Sequence, residues 1–256
     1  MMPLSIPHNI FKQKLLGPKC QIGLWSALGS SISTELCAAG DFDWLLIDAE
    51  HGVNDVHSVL PQLQAIAAYK AQAVVRLPDG DPALIKRYLD IGAQSLMIPM
   101  VESADQAKAL AAAAAYPPDG IRGIATMTRA ARWSRMPDYI ARARDEICLI
   151  AQIESATGVE NIDTIAATPG IDALLMGPAD LAATMGMPGQ ANHPAIWDRI
   201  WHCLDRAKAA GKPAGIFVLD ETLAQECIQR GFAFVAVGAD AILLSRAVDA
   251  LRQRFS

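Results

Sequence analysis

The amino-acid sequence predicts a single (βα)8 barrel, also called a TIM barrel, over residues 1–256. Short apolar segments typical of buried strands occur eight times, and most are followed by a segment with helical periodicity. The length of 256 residues is close to the roughly 250 residues of such barrels. Strands that alternate with helices form parallel sheets with right-handed crossovers. Eight such units in a chain of this length favour a closed barrel over an open sheet.

The predicted strands share one composition. Most are rich in leucine or β-branched residues, and most end at a polar residue, a glycine or a proline. Such runs are typical of strands that are buried on both faces. The predicted strands are Gln21–Trp25, Trp44–Asp48, Ala73–Arg76, Ser95–Met100, Cys148–Glu154, Ala173–Gly177, Pro213–Val218 and Phe234–Val237.

Helix start signals lie between the predicted strands. Asn54 is predicted to cap a helix over Asp55–Tyr69. Asp81 is predicted as the N-cap of the next helix, with a proline at the first helical position. Ser103 and Gln106 have the spacing of a capping box ahead of an alanine-rich helix.

The composition excludes several classes of protein. With 52% hydrophobic and 19% charged residues, the chain can bury a large core. The formal net charge of -5 gives a nucleic-acid partner no electrostatic support. No apolar run approaches the roughly 20 residues that span a bilayer, and prolines interrupt the N-terminal segment. Five cysteines without CxxC spacing fit reduced thiols, so we expect a cytoplasmic protein without a membrane partner.

The second predicted strand ends in a group of ionisable residues. The sequence WLLIDAEHG places Asp48, Glu50 and His51 directly after large apolar residues. In parallel α/β proteins the carboxyl ends of the strands form the edge where active sites are built. His51 is the one histidine at a predicted strand end, beside two acids that can set its tautomer and pKa. We predict that His51 is a catalytic base; the alternative is a structural histidine.

Two further carboxylates follow neighbouring predicted strands. Glu154 ends the fifth strand in AQIES, and Asp180 follows the sixth in GPADL. With no cysteine or second histidine nearby, they make an oxygen-rich site that suits Mg2+ or Mn2+, with substrate and water in the other positions. The alternative is that Glu154 caps its following helix and Asp180 begins the next. The segment GPAD, residues 177–180, also offers backbone N–H groups that lead into a helix, which is a site for a small carboxylate.

Arg76 ends the third predicted strand, after Ala-Val-Val. A buried guanidinium needs a partner, and a carboxylate or enolate oxygen of a ligand is a good one. A structural salt bridge to Asp48 is the alternative. All lysines lie outside the predicted strands, whereas a Schiff-base aldolase needs a lysine that projects into the barrel. If the protein is an aldolase, this absence favours metal chemistry.

The connection over residues 117–145, between the fourth helix and the fifth strand, is long. It is rich in glycine, proline and arginine, and long connections of this kind are more often functional or interfacial than idle. Its arginines are Arg122, Arg129, Arg132, Arg135, Arg142 and Arg144.

Seven motifs, in chain order, resemble the HpcH/HpaI family of class II, metal-dependent pyruvate aldolases: IGLWSAL, WLLIDAEHGVND, VVRLP, PPDGIRG, QIES, GPADLA and FVAVGAD. The resemblance runs from about residue 11 to the C-terminus. It implies a barrel of the phosphoenolpyruvate/pyruvate type, commonly a homohexamer built from trimers, with the last helix, predicted over Asp240–Phe255, exchanged between subunits. The implied reaction is reversible aldol cleavage of a 4-hydroxy-2-oxo acid, such as 4-hydroxy-2-oxoheptanedioate, to pyruvate and an aldehyde.

The resemblance also implies roles for the candidate catalytic and metal-binding residues. Glu154 and Asp180 would ligate Mg2+, Mn2+ or Co2+, which pyruvate chelates through its keto and carboxylate oxygens. Arg76 would face the keto oxygen that becomes an enolate. His51 would handle the proton through a water, with Asp48 close by.

Other positions match parts of the family site that hold the substrate or join subunits. Asp90 matches an aspartate that reaches a neighbouring subunit's histidine. A leucine is common at the position of Phe217, so the size of the preferred aldehyde stays open. The residues that would hold pyruvate or line the aldehyde pocket are Gln152, Gly177, Pro178, Ala179, Trp25 and Phe217.

Three other functions remain open. The first is a 2-dehydro-3-deoxyglucarate-type sugar-acid aldolase, which QIGLWSALGSSISTE resembles, whereas ARWSRMPDYI favours the heptanedioate type. A dicarboxylic substrate needs a cation for its distal carboxylate, and Arg122 or Arg129 is our candidate. The second is a metal-dependent carbon–carbon lyase for an acyl-CoA thioester, although no lysine cluster marks a phosphate site. The third is a non-catalytic metabolite-binding barrel.

Overall fold

The computed structural model describes residues 4–255. Within that range eight parallel strands form a closed barrel in chain order, with β1 paired to both β2 and β8. This closure confirms the predicted (βα)8 architecture. The strands are β1 Gln21–Ser26, β2 Trp44–Asp48, β3 Gln72–Arg76, β4 Ser95–Ile98, β5 Cys148–Ile153, β6 Ala173–Met176, β7 Ala214–Phe217 and β8 Phe234–Ala239.

Each predicted strand overlaps an observed one, and several differ at the carboxyl end. β4 ends at Ile98 and not at Met100, because Met100 has a left-handed backbone with φ of 52°, which interrupts an extended strand. β5 and β6 each end one residue earlier than predicted, at Ile153 and Met176. The polar and glycine positions that follow these strands therefore belong to the loops of the carboxyl edge.

Helices connect the strands and cover the outside of the barrel. No helix within residues 4–255 has the length and hydropathy that a membrane span requires. Residues 117–138 of the arginine-rich connection have no helix or strand. The helices are α1 Ile10–Lys14, α2 Ser31–Ala38, α3 Val56–Ile66, α4 Pro82–Asp90, α5 Ala104–Ala114, α6 Tyr139–Arg142, α7 Ala156–Glu160, α8 Ile162–Ala166, α9 Pro178–Thr184, α10 Pro194–Ala209, α11 Glu221–Gln229 and α12 Asp240–Gln253, with a short 3-10 helix, Ala143–Glu146, after α6.

The start of α3 corrects one prediction. Asp55, and not Asn54, is the N-cap, because its carboxylate accepts from the backbone N–H groups of His57 and Ser58, each at 2.9 Å. The Asn54 side chain instead donates to the backbone carbonyl of Asp48 at 2.8 Å. Asn54 therefore fastens the loop to the end of β2.

The predicted cap of α4 is confirmed, and the predicted capping box of α5 is confirmed in part. The Asp81 carboxylate accepts from two N–H groups of α4 at 2.7 and 3.0 Å. The Ser103 hydroxyl accepts from the N–H of Gln106 at 3.2 Å. The Gln106 side chain accepts from the N–H of Glu102 at 2.8 Å, so the expected reciprocal bond to Ser103 is replaced by one to the residue before it.

Alternation along the strands divides the core into two layers. In β2, Trp44 and Leu46 belong to a cluster inside the barrel, whereas Leu45 and Ile47 pack in the layer between strands and helices. Successive residues of a strand face opposite sides of the sheet, so both sets are buried. This alternation explains why the strands appear as continuous apolar runs in the sequence.

Helix α1 closes the amino end of the barrel. The ring of Phe11 lies 5.6 Å from that of Trp44 and 5.4 Å from that of Phe234, measured between centroids. Gly23 and Gly215 provide the space for these rings, because a Cβ at either position would overlap Trp44 or Phe234. Aromatic side chains therefore fill the barrel axis below the site.

Helix α12 lies outside the barrel, where it contacts β1, β8 and α2. Most of its length is exposed. A run of exposed apolar side chains on one helix is typical of a surface that another element covers. The exchange of this helix between subunits stays a prediction. The exposed large apolar residues of this helix and the chain end are Leu243, Leu244, Val248, Leu251 and Phe255.

Candidate active site

Because side chains alternate along each strand, polar side chains that follow the interior positions lie at the carboxyl-terminal end of the barrel, which we call the mouth. In β2, β3 and β5, Asp48, Arg76 and Gln152 each lie two positions after an apolar residue of the interior cluster. Glu50 and Glu154 lie a further two positions along the chain, in the loops that follow β2 and β5. All of these residues except Glu50, which is half-buried, are buried. The inner part of the mouth is therefore built from polar and charged groups shielded from bulk water.

Asp48 and Arg76 form a bidentate ion pair. Nε of Arg76 donates to Oδ1 of Asp48 at 2.9 Å, and Nη2 donates to Oδ2 at 2.5 Å. Oδ2 also accepts from Nε1 of Trp25 at 3.1 Å. Buried charges tolerate loss of solvent when hydrogen bonds satisfy them in this way. The salt bridge considered as the alternative for Arg76 is therefore present, and it fixes the guanidinium at the mouth.

Glu50, predicted only as one of the two acids beside His51, also contacts Arg76. Its Oε2 lies 2.7 Å from Nη1 of Arg76, and its Oε1 lies 4.0 Å from Nε2 of His51. Burial raises the pKa of Glu50, against the opposing charges of Arg76 and His51. The signal was in the sequence, since Glu50 lies two positions after Asp48 and therefore on the same side of the chain.

His51 lies on the loop after β2, with 68% of its side chain exposed. Its backbone N–H, like that of Glu50, donates to Oδ1 of Asp48, at 3.3 and 3.1 Å. Of the two acids expected beside the ring, Glu50 is the one that approaches it, while Asp48 holds the loop. Gly52 follows with φ of 130°, a conformation that favours glycine. The loop thus presents the imidazole to the mouth and to solvent.

Glu154 lies just after β5, with both carboxylate oxygens engaged. The N–H of Met100 donates to Oε1 at 2.9 Å, and Nε2 of Gln152 donates to Oε2. Gly177 leaves room beside this carboxylate, because a Cβ there would lie 2.6 Å from Oε2. Burial raises the pKa of Glu154 to about 7, although the Met100 bond opposes the shift. Ser155 caps α7, with a bond at 3.0 Å, so the helix-cap alternative for Glu154 is wrong.

Asp180 lies in the first turn of α9 and is exposed at the same mouth. Its negative charge raises the pKa of both Glu154 and Glu50, so the three carboxylates act on one another. Its position is also that of a helix start, as the alternative supposed. Pro178 and Ala179 stand between Asp180 and the end of β6, in the segment predicted to receive pyruvate.

A hard divalent cation fits this set of donors. Glu154 and Asp180 are repelling carboxylates that a cation would neutralise, and the buried Oε1 of Gln152 has no hydrogen-bond partner in the described chain. Residues 4–255 contain no group of three His, Cys, Asp or Glu side chains arranged for a metal. Two carboxylates, with the remaining positions left to substrate and water, are a common ligand set for Mg2+. The metal-ligand roles themselves stay predictions.

Trp25 and Phe217 form an aromatic wall at the mouth. Their rings stack with centroids 4.6 Å apart and planes 17° apart. The guanidinium carbon of Arg76 lies 5.1 Å from the centroid of the Trp25 ring, within the range of a cation–π contact. The structure thus brings together two residues predicted to line the aldehyde pocket and places them beside Arg76.

Asp90 lies at the other end of the barrel from His51. Helix α4 begins after the carboxyl end of β3 and runs back along the barrel, so its last residue is near the amino ends of the strands. There, Nη2 of Arg122 pairs with Oδ1 of Asp90 at 2.7 Å. Asp90 can therefore approach a His51 side chain only if that histidine belongs to another subunit.

The hypothesis that Arg122 or Arg129 binds a distal carboxylate of the substrate is wrong within one chain. The Arg122 side chain is 0% exposed, with its guanidinium carbon 4.5 Å from the Tyr116 ring and 5.9 Å from the Tyr139 ring. Arg129 donates to the Ile91 carbonyl at 2.7 Å and lines a cavity of about 350 Å³ at the amino end. The spacing of arginines in the sequence does not reveal this burial, because the tyrosines meet Arg122 only in the folded chain.

The fold and the mouth together define a (βα)8-barrel protein with an acidic, metal-compatible site beside a fixed guanidinium. Comparison with known proteins identifies the family. Residues 21–247 match the family model described as HpcH/HpaI aldolase/citrate lyase. The chain belongs to this family, which confirms the resemblance found in the sequence.

Individual relatives support the same assignment. A hydroxypyruvate/pyruvate aldolase of Deinococcus radiodurans is 51% identical over 255 residues, covering 99% of this chain and 92% of the relative. A 4-hydroxy-2-oxo-heptane-1,7-dioate aldolase of Salmonella arizonae is 48% identical over 248 residues, covering 96% and 94%. The solved structure of an HpcH/HpaI aldolase/citrate lyase family protein from Burkholderia cenocepacia J2315 has a TM-score of 0.93 at 41% identity, covering 97% and 100%. These relatives confirm the prediction of an aldolase-type lyase.

Proposed function

We propose that the protein catalyses reversible aldol cleavage of a 4-hydroxy-2-oxo acid, of the 4-hydroxy-2-oxoheptanedioate type, to pyruvate and an aldehyde. The observation that carries this proposal is the fixed guanidinium of Arg76 at the same mouth as Glu154 and Asp180. Cleavage leaves pyruvate as an enolate with negative charge on its former keto oxygen. A site with preorganised positive charge stabilises that oxygen as the charge develops.

Arg76 is the residue that would stabilise the enolate oxygen. Its two hydrogen bonds to Asp48 use two of the five N–H groups of a guanidinium, and its Nη1 forms an ion pair with Glu50. These contacts hold the group in one orientation before substrate binds, so little reorganisation is needed during the reaction. Gln152 and the backbone around Ala179 would hold the pyruvate.

Glu154 and Asp180 would hold the divalent metal, with Mg2+, Mn2+ and Co2+ as the candidates. When bound there, the metal would supply Lewis-acid stabilisation of the enolate. The mutual repulsion of the two carboxylates and the unpaired oxygen of Gln152 support this placement.

His51 would move the proton between the substrate and solvent, through a water. The exposure of its ring and its place beside Glu50 support this role. A positioned base of this kind typically contributes about 10²–10⁴-fold to the rate. We also propose that Asp90 of a neighbouring subunit contacts the ring, which would tie activity to assembly.

The proposed assembly is a homo-oligomer, either a trimer or a hexamer, in which α12 packs against a neighbouring subunit. The exposed apolar side chains of α12 support this arrangement. So does the position of Asp90 at the end of the barrel away from its own His51. A cytoplasmic location is part of the proposal, and the five cysteines, all free in the structure, fit a reducing compartment.

The alternative substrate is a 2-dehydro-3-deoxyglucarate-type sugar acid. Both substrates are dicarboxylates, so the burial of Arg122 and the position of Arg129 at the amino end do not distinguish between them. Cleavage assays should therefore compare a heptanedioate substrate, a sugar-acid substrate and a substrate that releases a neutral aldehyde. Preferential cleavage of the sugar acid would favour the alternative.

Proton NMR of pyruvate in D2O tests the donor half-reaction without any aldehyde. Metal-stripped protein should leave the methyl signal unchanged, and added Mg2+ or Mn2+ should cause its loss through deuterium exchange. Arg76→Lys should slow this exchange at least tenfold, on the order of one lost charge-stabilising contact. Arg87→Lys, an exposed change on α4, is the matched control. No exchange with any metal would contradict the proposal and favour an acyl-CoA lyase or a non-catalytic barrel.

A further inference from the structure

The loop between β4 and α5, residues 99–103, contains an unusual backbone position. Met100 has φ of 52°, a left-handed conformation that residues other than glycine seldom adopt. Its side chain is 41% exposed, so side-chain packing does not account for the conformation. The explanation must lie in the bonds that the backbone makes.

Two consecutive N–H groups of this loop reach the end of β5. Met100 N–H donates to Oε1 of Glu154 at 2.9 Å, and Val101 N–H donates to the backbone carbonyl of Gln152 at 3.1 Å. In an extended chain, consecutive N–H groups point to opposite sides. A left-handed residue turns consecutive N–H groups towards one side, as in backbone sites that bind anions. The conformation of Met100 therefore allows both bonds at once.

The rest of the loop is held in the same place. Nε2 of Gln106 donates to the Met100 carbonyl at 3.1 Å, and Oε1 of Gln106 accepts from the N–H of Glu102 at 2.8 Å. Oγ of Ser155 donates to Oε1 of Glu102 at 2.6 Å. Contacts from α5 and from the residue after Glu154 thus fix the loop at Met100 and at Glu102.

We propose that Met100 is a positioning residue for Glu154, acting through its left-handed backbone and not through its side chain. Its N–H holds Oε1 while Gln152 holds Oε2, so the carboxylate keeps one orientation before a cation arrives. A ligand that is already ordered loses less conformational freedom on binding, which tightens the complex. This inference rests on the proposed function, in which Glu154 is a metal ligand.

Substitutions that differ in their tolerance of positive φ test the proposal. Met100→Gly and Met100→Asn accept the conformation readily, Met100→Leu matches the size of the native side chain, and Met100→Val is β-branched and strongly disfavoured there. Mn2+ binding to metal-stripped protein, followed by EPR without substrate, gives the dissociation constant. We expect the Val variant to bind Mn2+ about tenfold more weakly, and the other three within about twofold of the wild type.

The outcomes separate this proposal from the proposed function. If the Val and Leu variants bind Mn2+ with the same affinity, whether unchanged or equally weakened, the backbone role of Met100 is wrong. The assignment of the metal site is not affected by that result. A wild-type protein that does not bind Mn2+ overturns the metal assignment and this proposal with it. If the Val variant does not fold, amide hydrogen exchange of the wild type and of Glu154→Ala tests the proposal instead. Slow exchange at Met100 that accelerates in Glu154→Ala supports the proposal, and an unchanged rate overturns it.

Discussion

Asp48 connects more groups of the candidate site than any catalytic residue predicted from the sequence. Its carboxylate accepts from the side chains of Arg76 and Trp25 and from the N–H groups of Glu50 and His51. A carboxylate surrounded by these donors acts by holding them. We therefore propose that the exposed ring of His51 transfers the proton and that Asp48 holds the other groups in place.

Replacing Asp48 tests this division of roles. Asp48→Asn removes the bidentate carboxylate of the buried Arg76 and leaves the half-buried Glu50 as its remaining counter-charge. Breaking a buried ion pair costs about 3–5 kcal/mol. We expect a lower free energy of unfolding in urea and pyruvate deuterium exchange slowed by about 10²-fold or more. Asp41→Asn breaks an exposed pair with Lys70 and should change neither property. An Asp48→Asn enzyme with wild-type exchange would contradict the assignment.

The buried carboxyl of Glu154 predicts how the stability of metal-free protein depends on pH. Its folded-state pKa is raised to about 7, above the roughly 4.3 of an unfolded chain. The folded state therefore binds more protons between these values, and stability contributed by this group falls as pH rises from about 4.5 to 7. Near pH 5, Glu154→Gln should have the same melting temperature as the metal-free wild type. Near pH 8, its melting temperature should be higher by on the order of 5 °C. A difference that does not vary with pH would show that ionisation of Glu154 is not its cause.

At the scale of elements, α12 is attached to the barrel through its first residue. The buried Asp240 carboxylate accepts from the N–H of Ala27 at 2.9 Å and from Oγ of Ser33 at 3.0 Å. Ala27 follows β1 and Ser33 lies in α2, so one side chain joins three parts of the carboxyl edge. The orientation of α12 depends on this attachment.

Asp240→Ala should therefore weaken the attachment of α12 to the barrel without unfolding the helix. The substitution leaves the partly buried Ala27 N–H and Ser33 hydroxyl without this acceptor, and an unsatisfied donor costs up to about 1–3 kcal/mol. We expect a lower urea midpoint and faster amide exchange in the first turn of α12. Asp249→Ala, on the exposed side of the same helix, is the control and should alter neither. Equal effects of the two substitutions would show that the buried bonds of Asp240 are not responsible.

The sequence was sufficient to predict elements whose environment is uniform. Strands buried on both faces appear as apolar runs, and the polar residues that end them, such as Arg76 and Glu154, mark the mouth. The sequence was insufficient where two neighbouring residues were equally suitable as the N-cap of a helix. Asn54 and Asp55 are both good caps, and the choice depends on the carbonyl of Asp48, which only the folded chain brings near. The left-handed turn at Met100 likewise depends on contacts with another strand.

At the scale of the whole molecule, the exposed apolar side of α12 predicts that the protein functions as an oligomer. Val248→Asp places a charge in the middle of that surface, where Val248 is 56% exposed in the single chain. We expect smaller species in light scattering coupled to size-exclusion chromatography, and reduced pyruvate exchange because Asp90 would lose its partner subunit. Asp249→Asn is the matched control. An unchanged molar mass would show that α12 is not an interface.

The aromatic side chains below the site have a kinetic consequence. Phe11, Trp44 and Phe234 fill the axis of the barrel, so substrate and both products share the carboxyl mouth. In the proposed reaction, pyruvate sits against the buried Glu154, while the aldehyde lies nearer the half-buried Phe217. A site with one entrance then releases its products in sequence, the aldehyde first and pyruvate last. In the synthetic direction the same geometry makes pyruvate the first substrate to bind.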